Sequence, residues 1–199
     1  RHLAARGISC PQPVAARSGA MLGELAGRPA AIISFLDGMW VRRPKREHCA
    51  ALGEALARFH LAGADFTGRR PNTLSVDSWR PLLGASLDQA DTVVPGLAAE
   101  LTAELDHLES RWPSGLPSGV IHADLFPDNV FFIGERLSGL IDFYFACNDA
   151  FAYDVAICLN AWCFEPDLSF NVTKARALLN GYRQVRDFTD AEFAALPLL

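Results

Sequence analysis

The stretch from Val120 to Phe143 constrains this chain more than any other part of it. A very short apolar run, Val120-Ile121, leads into His122-Ala123-Asp124-Leu125-Phe126-Pro127-Asp128-Asn129, which is too polar and too interrupted by proline to continue as a strand. Val130 to Ile133 is apolar, Gly134-Glu135-Arg136 is a turn signal, and Leu137 to Asp142 is a second short run, so the pair reads as a β-hairpin. A hairpin returns its second strand to the place where the first began. Asp142 is thereby delivered beside Asn129, and Asp124, Asn129 and Asp142 converge at one mouth. A lone His-x-Asp carries no information, and Asp128-Asn129 alone is an ordinary turn pair. The signal lies in strand, loop, hairpin and Ile141-Asp142-Phe143 occurring in register.

Two carboxylates and an amide suit one reaction class in particular. Phosphoryl transfer to an alcohol needs one carboxylate to align the hydroxyl and take its proton. It also needs oxygen ligands for Mg²⁺ on the ATP phosphates, since catalysis there is mostly positioning and charge neutralisation. His122-x-Asp124-x-x-x-x-Asn129 followed by Ile141-Asp142-Phe143 supplies that set in order.

The rest of the chain gives this centre a setting. Gly7 to Leu36 has strand-and-turn character: Pro11 and Pro13 favour extended backbone, Gly27-Arg28-Pro29 reads as a turn, and Ala31 to Leu36 reads as a strand ending at Asp37-Gly38. Leu52, Leu56 and Phe59 predict an amphipathic helix from Lys45 to Gly63. Asp65 to Pro81 reads as a connecting loop, Pro95 to Arg111 as a helix with a leucine stripe, and Asp154 to Cys163 and Lys174 to Arg183 as further helices. The fold class expected is α+β: a short β-rich start and a large α-rich body.

The same loops resemble those of the kinase superfamily in its aminoglycoside-phosphotransferase-like branch, which writes them His-Gly/Ala-Asp-Leu-x-x-x-x-Asn and Ile-Asp-Phe/Trp. The resemblance implies a protein-kinase-like fold, with residues 1–38 as the end of the N-terminal lobe and its hinge, and residues 39–199 as the mostly helical C-terminal catalytic lobe. It implies ATP and Mg²⁺ as cofactors, Asp124 as catalytic base, and Asn129 and Asp142 as metal ligands. His122 would support the loop from behind, Asp154 would brace it, and the backbone of Ser34, Phe35 and Leu36 would meet adenine. As a plain helix N-cap, Asp154 would look the same. Ala123 stands where glycine is commoner, a change expected to be neutral, and His60 is expected to be structural. The family's phosphate-pairing strand lysine has no counterpart before the hinge, since the first lysine is Lys45. The chain is therefore expected to be a piece of a longer protein, to bind ATP poorly alone and to expose apolar side chains around Ile32 to Leu36.

The wider match from Gly7 onward, densest from Val120 to Phe164, resembles the bacterial homoserine kinases built on this fold. It implies L-homoserine as the small-molecule substrate and threonine biosynthesis as the setting. The residues do not select the substrate. Asp149, Asn148 and Glu165 are candidates for its ammonium, and Tyr144 and Trp162 for the pocket wall. Choline-like or aminoglycoside acceptors, or a non-catalytic binding module, remain as alternatives, the intact Asp124, Asn129 and Asp142 arguing against the last.

Composition adds exclusions. A formal net charge of -5 argues against nucleic acid as the main partner. The basic run Arg42 to Arg46 reads as a solvated lead-in to a helix. No apolar run approaches the length of a membrane span, and the start lacks a signal-peptide core, which points to the cytoplasm. Five cysteines without a Cys-x-x-Cys pair read as reduced, mostly buried thiols.

Overall fold

A computed structural model describes residues 1–199. A short helix α1 (His2–Ala5) precedes a small hairpin, β1 (Gly23–Leu25) and β2 (Arg28–Ala30). Its turn is Ala26-Gly27, both with positive φ (52° and 72°), and Arg28-Pro29 is strand. The turn expected at residues 27–29 therefore sits one residue earlier, where two left-handed residues suit the twist of a tight hairpin. The strand expected over 31–36 is reduced to one bridge, Pro13 to Ile33, flanked by Val14 N–H to Ile32 O and Ser34 N–H to Gln12 O, both 2.8 Å. Its partner segment carries Pro11 and Pro13, which lack the N–H groups a full ladder needs.

The body is built around α2 (Arg46–Ala62), starting after Lys45 and ending at Gly63. Its buried face carries Cys49, Leu52, Leu56 and Phe59, the helical spacing read from the sequence. Residues expected to be loop up to Pro81 instead enter a second helix, α3 (Val76–Val93), which begins after Ser75 and carries Pro81 inside it. α3 pairs with α4 (Leu97–Arg111), and Arg80 clamps the pair by reaching Asp106 (2.7 Å) and Glu109 (2.9 Å). Beyond this pairing an aromatic chain ties the two to the body: Trp79 against Trp112, ring centroids 5.0 Å apart, and Trp112 against Tyr153 at 5.9 Å.

β3 (Ser118–Ile121), β4 (Val130–Ile133), β5 (Arg136–Leu140) and β6 (Cys147–Ala150) form two antiparallel pairs. β4 and β5 are the predicted hairpin, with Val130 opposite Leu140. β3 pairs with β6, so the chain entering the 122–129 loop runs beside the chain leaving Asp142. Three helices follow, α5 (Phe151–Trp162), α6 (Val172–Arg183) and α7 (Asp190–Ala195).

α6 lies against α2 at a separation only glycine allows. A Cβ on Gly53 would stand 2.0 Å from the Leu178 carbonyl oxygen, and one on Gly181 would stand 2.1 Å from that of Ala50. Leu56, Phe59, Leu125, Trp162, Leu178 and Tyr182 share one core between these helices and the loop. Burying a side chain of this size stabilises the fold by about 1.5–3 kcal/mol. Four of the five cysteines are buried, and Cys10 is half-buried. No helix is long and apolar enough to cross a membrane.

Candidate active site

The 122–129 loop is held by hydrogen bonds from its own ends. Asn129 donates from Nδ2 to the Asp124 carbonyl (2.8 Å) and to Asp124 Oδ2 (3.1 Å), and its own carbonyl accepts from Ile141 N–H at 3.0 Å. The hairpin thus ties Asn129 to the residue before Asp142. Asp142 itself is left-handed (φ 60°, ψ 67°) and exposed, and its Oδ1 accepts from Tyr144 N–H at 3.3 Å. Asp124 is partly buried. Burial, with the nearby charge of Asp142, pushes its carboxyl above the usual range against opposing effects from His122 and Asn129.

Behind the loop lies a dry network. His122 Nε2 donates to the Ile141 carbonyl (3.0 Å), while its ring packs among Phe59 and Phe143. Burial lowers its pKa, so the ring is neutral with the proton on Nε2, and Nδ1 has no partner. Asp154 is fully buried and accepts three hydrogen bonds: His122 N–H (2.8 Å), Ala123 N–H (2.9 Å) and His60 Nε2 (3.0 Å). Burial alone would raise its carboxyl; the donors around it outweigh that and hold it below the usual range. His60 Nδ1 meets the Tyr182 hydroxyl at 2.8 Å, and that hydroxyl accepts from Arg186 at 3.2 Å. Burial depresses the His60 pKa, which leaves its second ring nitrogen free to accept from Tyr182. Arg186 in turn reaches the buried Glu192 at 2.8 Å. Asp154 is the fourth residue of α5, not its N-cap, which is Ala150.

One conformational detail runs against expectation. Ala123 has φ of +62°, a conformation that disfavours a Cβ by about 1–2 kcal/mol. Alanine here is strained rather than neutral.

Two clefts open near these residues. One, of about 560 Å³, is lined by Ser34, Phe35, Leu36, Phe131, Asp142 and Phe143. The sequence-selected segment Ser34–Leu36 therefore shares a cleft with Asp142. Ser34 spends its N–H on Gln12, whereas the Phe35 and Leu36 N–H groups donate to nothing in the chain. Phe35 is 89% exposed, as are much of Ile32 and Ile33. The other cleft, of about 300 Å³, adjoins Ala123 and Phe126 and draws its far wall from Arg70, Asn72, Tyr153 and Asn160. Arg70 and Asn72 lie in the polar stretch read as a plain connector, where no periodicity marks a side chain as special.

The residues singled out for substrate fare differently. Asp149 is engaged by Asn72 (2.7 Å), and Glu165 by Lys174 and Asn171 (both 2.7 Å). Asn148 accepts from Arg70 N–H at 2.9 Å. None of the three lines the cleft beside Ala123. Trp162 is only 1% exposed and donates to the Leu125 carbonyl at 2.7 Å, so it is core and not pocket wall. Tyr144 is 70% exposed, with the Arg70 guanidinium 5.8 Å from its ring centre.

A profile of the phosphotransferase enzyme family matches residues 1–188, nearly the whole chain and both halves of this site. The chain belongs to that family. Among curated relatives, a homoserine kinase of Xanthobacter autotrophicus is 69% identical over 198 residues, covering 100% of this chain and 62% of the relative. One of Rhodospirillum rubrum is 66% identical over 199 residues, again covering 62% of that protein. The chain thus spans about three-fifths of the length of the curated relatives it matches. Among solved structures, an amicoumacin kinase in complex with AMP-PNP, Ca²⁺ and Ami superimposes with a TM-score of 0.73 at 19% identity, over 100% of this chain and 63% of its own. An aminoglycoside-3'-phosphotransferase of type VIII gives 0.69 at 22% identity, over 98% and 74%. The fold is the α+β, aminoglycoside-phosphotransferase-like one expected from the sequence.

Proposed function

We propose that the protein containing this chain transfers the γ-phosphoryl group of ATP to the side-chain hydroxyl of L-homoserine, giving O-phospho-L-homoserine. The observation that carries the substrate is identity: relatives 64–70% identical along the full chain bear the name homoserine kinase. Residues 1–38 are taken as the end of the nucleotide-side lobe and its hinge, and 39–199 as the catalytic lobe.

The geometry supports the following roles. Asp124, next to the Ala123 that lines one cleft, aligns the acceptor hydroxyl and takes its proton as the new P–O bond forms and the bond to ADP breaks. Its raised pKa matches a base that works late in the step. Phe35 and Leu36 offer unspent N–H groups to the adenine. Asn129 and Asp142 suit Mg²⁺ in their chemistry. Asn129 spends its amide nitrogen on Asp124 and keeps its side-chain oxygen, and Asp142 keeps one carboxylate oxygen without a donor. Both are hard oxygen donors, and no three His, Cys, Asp or Glu gather elsewhere as a rival cage. When bound, Mg²⁺ neutralises charge on the phosphates. Asp154 and His122 fix the loop from below.

The test is ADP release from Mg-ATP by the full-length protein, offered L-homoserine, choline, serine or an aminoglycoside, with Asp124→Asn as control. Turnover of L-homoserine that is lost in the variant is expected. Turnover of a different alcohol overturns the substrate, and ATP binding without turnover of any overturns the enzyme reading.

A further inference from the structure

The cleft beside Ala123 has an unusual chemical make-up for a family whose solved members include aminoglycoside phosphotransferases. Polycationic acceptors call for carboxylates in the pocket wall. No Asp or Glu lines this cleft, and its single charged side chain is Arg70. The neutral polar groups are Thr73, Tyr153 and Asn160, whose side chains have no hydrogen-bond partner within the chain, and Asn72, whose amide donates to Asp149 and accepts from Leu74 N–H. Phe126, Phe145 and Ile157 make up the apolar remainder.

Arg70 is also held in place. Its backbone is zipped to β6, with its N–H donating to Asn148 Oδ1 (2.9 Å) and its carbonyl accepting from Asn148 N–H (2.7 Å). Its Nη1 donates to the Tyr144 carbonyl, and the guanidinium sits over the Tyr144 ring. Nη1 is the only guanidinium nitrogen so engaged; Nε and Nη2 keep their N–H donors free. An anchored guanidinium with an edge to spare is the group of choice for a carboxylate, which it meets with two parallel hydrogen bonds.

We propose that Arg70 is the carboxylate anchor of the acceptor pocket, so that the pocket selects a small hydroxy acid and rejects acceptors lacking that group. The proposal rests on the acceptor assignment above and deepens it by naming the specificity-determining residue. The acceptor's hydroxyl reaches Asp124 from the Ala123 side while its carboxylate meets Arg70 on the far wall, and the oxygens of Asn160 and Tyr153 are placed to receive its ammonium.

The experiment compares kcat/KM of the full-length protein for L-homoserine, L-homoserinamide and 3-aminopropan-1-ol at saturating Mg-ATP, in wild type and in Arg70→Gln. Wild type should prefer the acid over both analogues by about 10- to 100-fold, the range for losing a hydrogen bond to a charged group. Arg70→Gln should erase most of that preference, chiefly through KM for L-homoserine, with KM for ATP unchanged. A preference that survives in Arg70→Gln overturns the proposal, as does a rise in KM for ATP alone. Should the variant not fold, the wild-type arm decides: equal kcat/KM for acid and amide overturns it. Absence of L-homoserine turnover in wild type is a separate result that removes the acceptor assignment itself, and this proposal with it.

Discussion

Replacing Asp154 by asparagine should destabilise the protein by stranding a buried backbone donor. In the native structure Oδ2 receives His122 N–H and His60 Nε2, and Oδ1 receives Ala123 N–H, all at 2.8–3.0 Å in a site without solvent. An asparagine has one acceptor oxygen. Placed to keep the two bonds at Oδ2, it turns its own N–H groups toward Ala123 N–H and orphans that donor. Loss of a charge-assisted bond is worth about 1.5–3 kcal/mol, and a buried unpaired donor about 1–3 kcal/mol. Because the two overlap, their sum is discounted to about 2–4 kcal/mol. At about 2–4 °C per kcal/mol for a domain the size of this chain, Tm should fall by about 4–16 °C in calorimetry. kcat should fall with it, since the backbone of His122 and Ala123 positions Asp124. A Tm within about 2 °C of wild type would falsify the claim that this carboxylate carries the loop.

The same network gives stability a pH slope. Asp154 has a depressed folded-state pKa, so its contribution is complete above the unfolded value of about 3.9 and is lost as pH falls through the folded one. His60 and His122 are also depressed, so the unfolded chain binds their protons first and stability declines as pH drops below about 6.5. Urea midpoints between pH 7 and 5 should show this decline, with a shallower slope in His60→Asn; an unchanged slope refutes the assignment. For activity, the raised carboxyl of Asp124 should set an acid limb of kcat/KM above the ordinary aspartate range, checked by a pH–rate profile. Gly53→Ala gains helix propensity of about 1 kcal/mol, but its Cβ meets the Leu178 carbonyl oxygen at 2.0 Å. Overpacking of that severity costs about 3 kcal/mol, so a net loss of about 2 kcal/mol is expected in urea unfolding, and a gain in stability would sink the packing argument. Ala123→Gly removes a left-handed Cβ and should stabilise by about 0.5–1 kcal/mol after glycine's extra chain entropy is subtracted. A lowered Tm would contradict that.

What the sequence made legible depended on period and register. The apolar stripe of α2 and the β4–β5 hairpin are repeated local signals that burial enforces, and the hairpin brings Asn129 into contact with Ile141, the residue before the Asp142 that the spacing placed beside it. α3 escaped because Pro71, Asn72 and Pro81 punctuate its approach like a loop, yet a helix begins after Ser75 and tolerates Pro81. The wall of the cleft beside Ala123 escaped for a different reason. Arg70 and Asn72 owe their positions to pairing with β6 and Asp149, contacts between segments far apart in the chain that no local pattern encodes. Asp154 could be read as a cap or as a brace from sequence, and only its burial and three donors separate the two.

The paired helices α3 and α4 pack on each other and reach the body through Trp79, Trp112 and Tyr153. Tyr153 lines the cleft that holds Arg70, and no side chain of the three hydrogen-bonds to Asp154, His60 or His122. Such an attachment makes the pair exchangeable. An insertion, deletion or reshaping of α3 and α4 can resize the cleft beside Ala123 through the Trp79–Trp112–Tyr153 contacts while leaving Asp124, Asn129 and Asp142 in register. On the function proposed above, such a change alters which alcohol is accepted without rebuilding the part of the molecule assigned to phosphate.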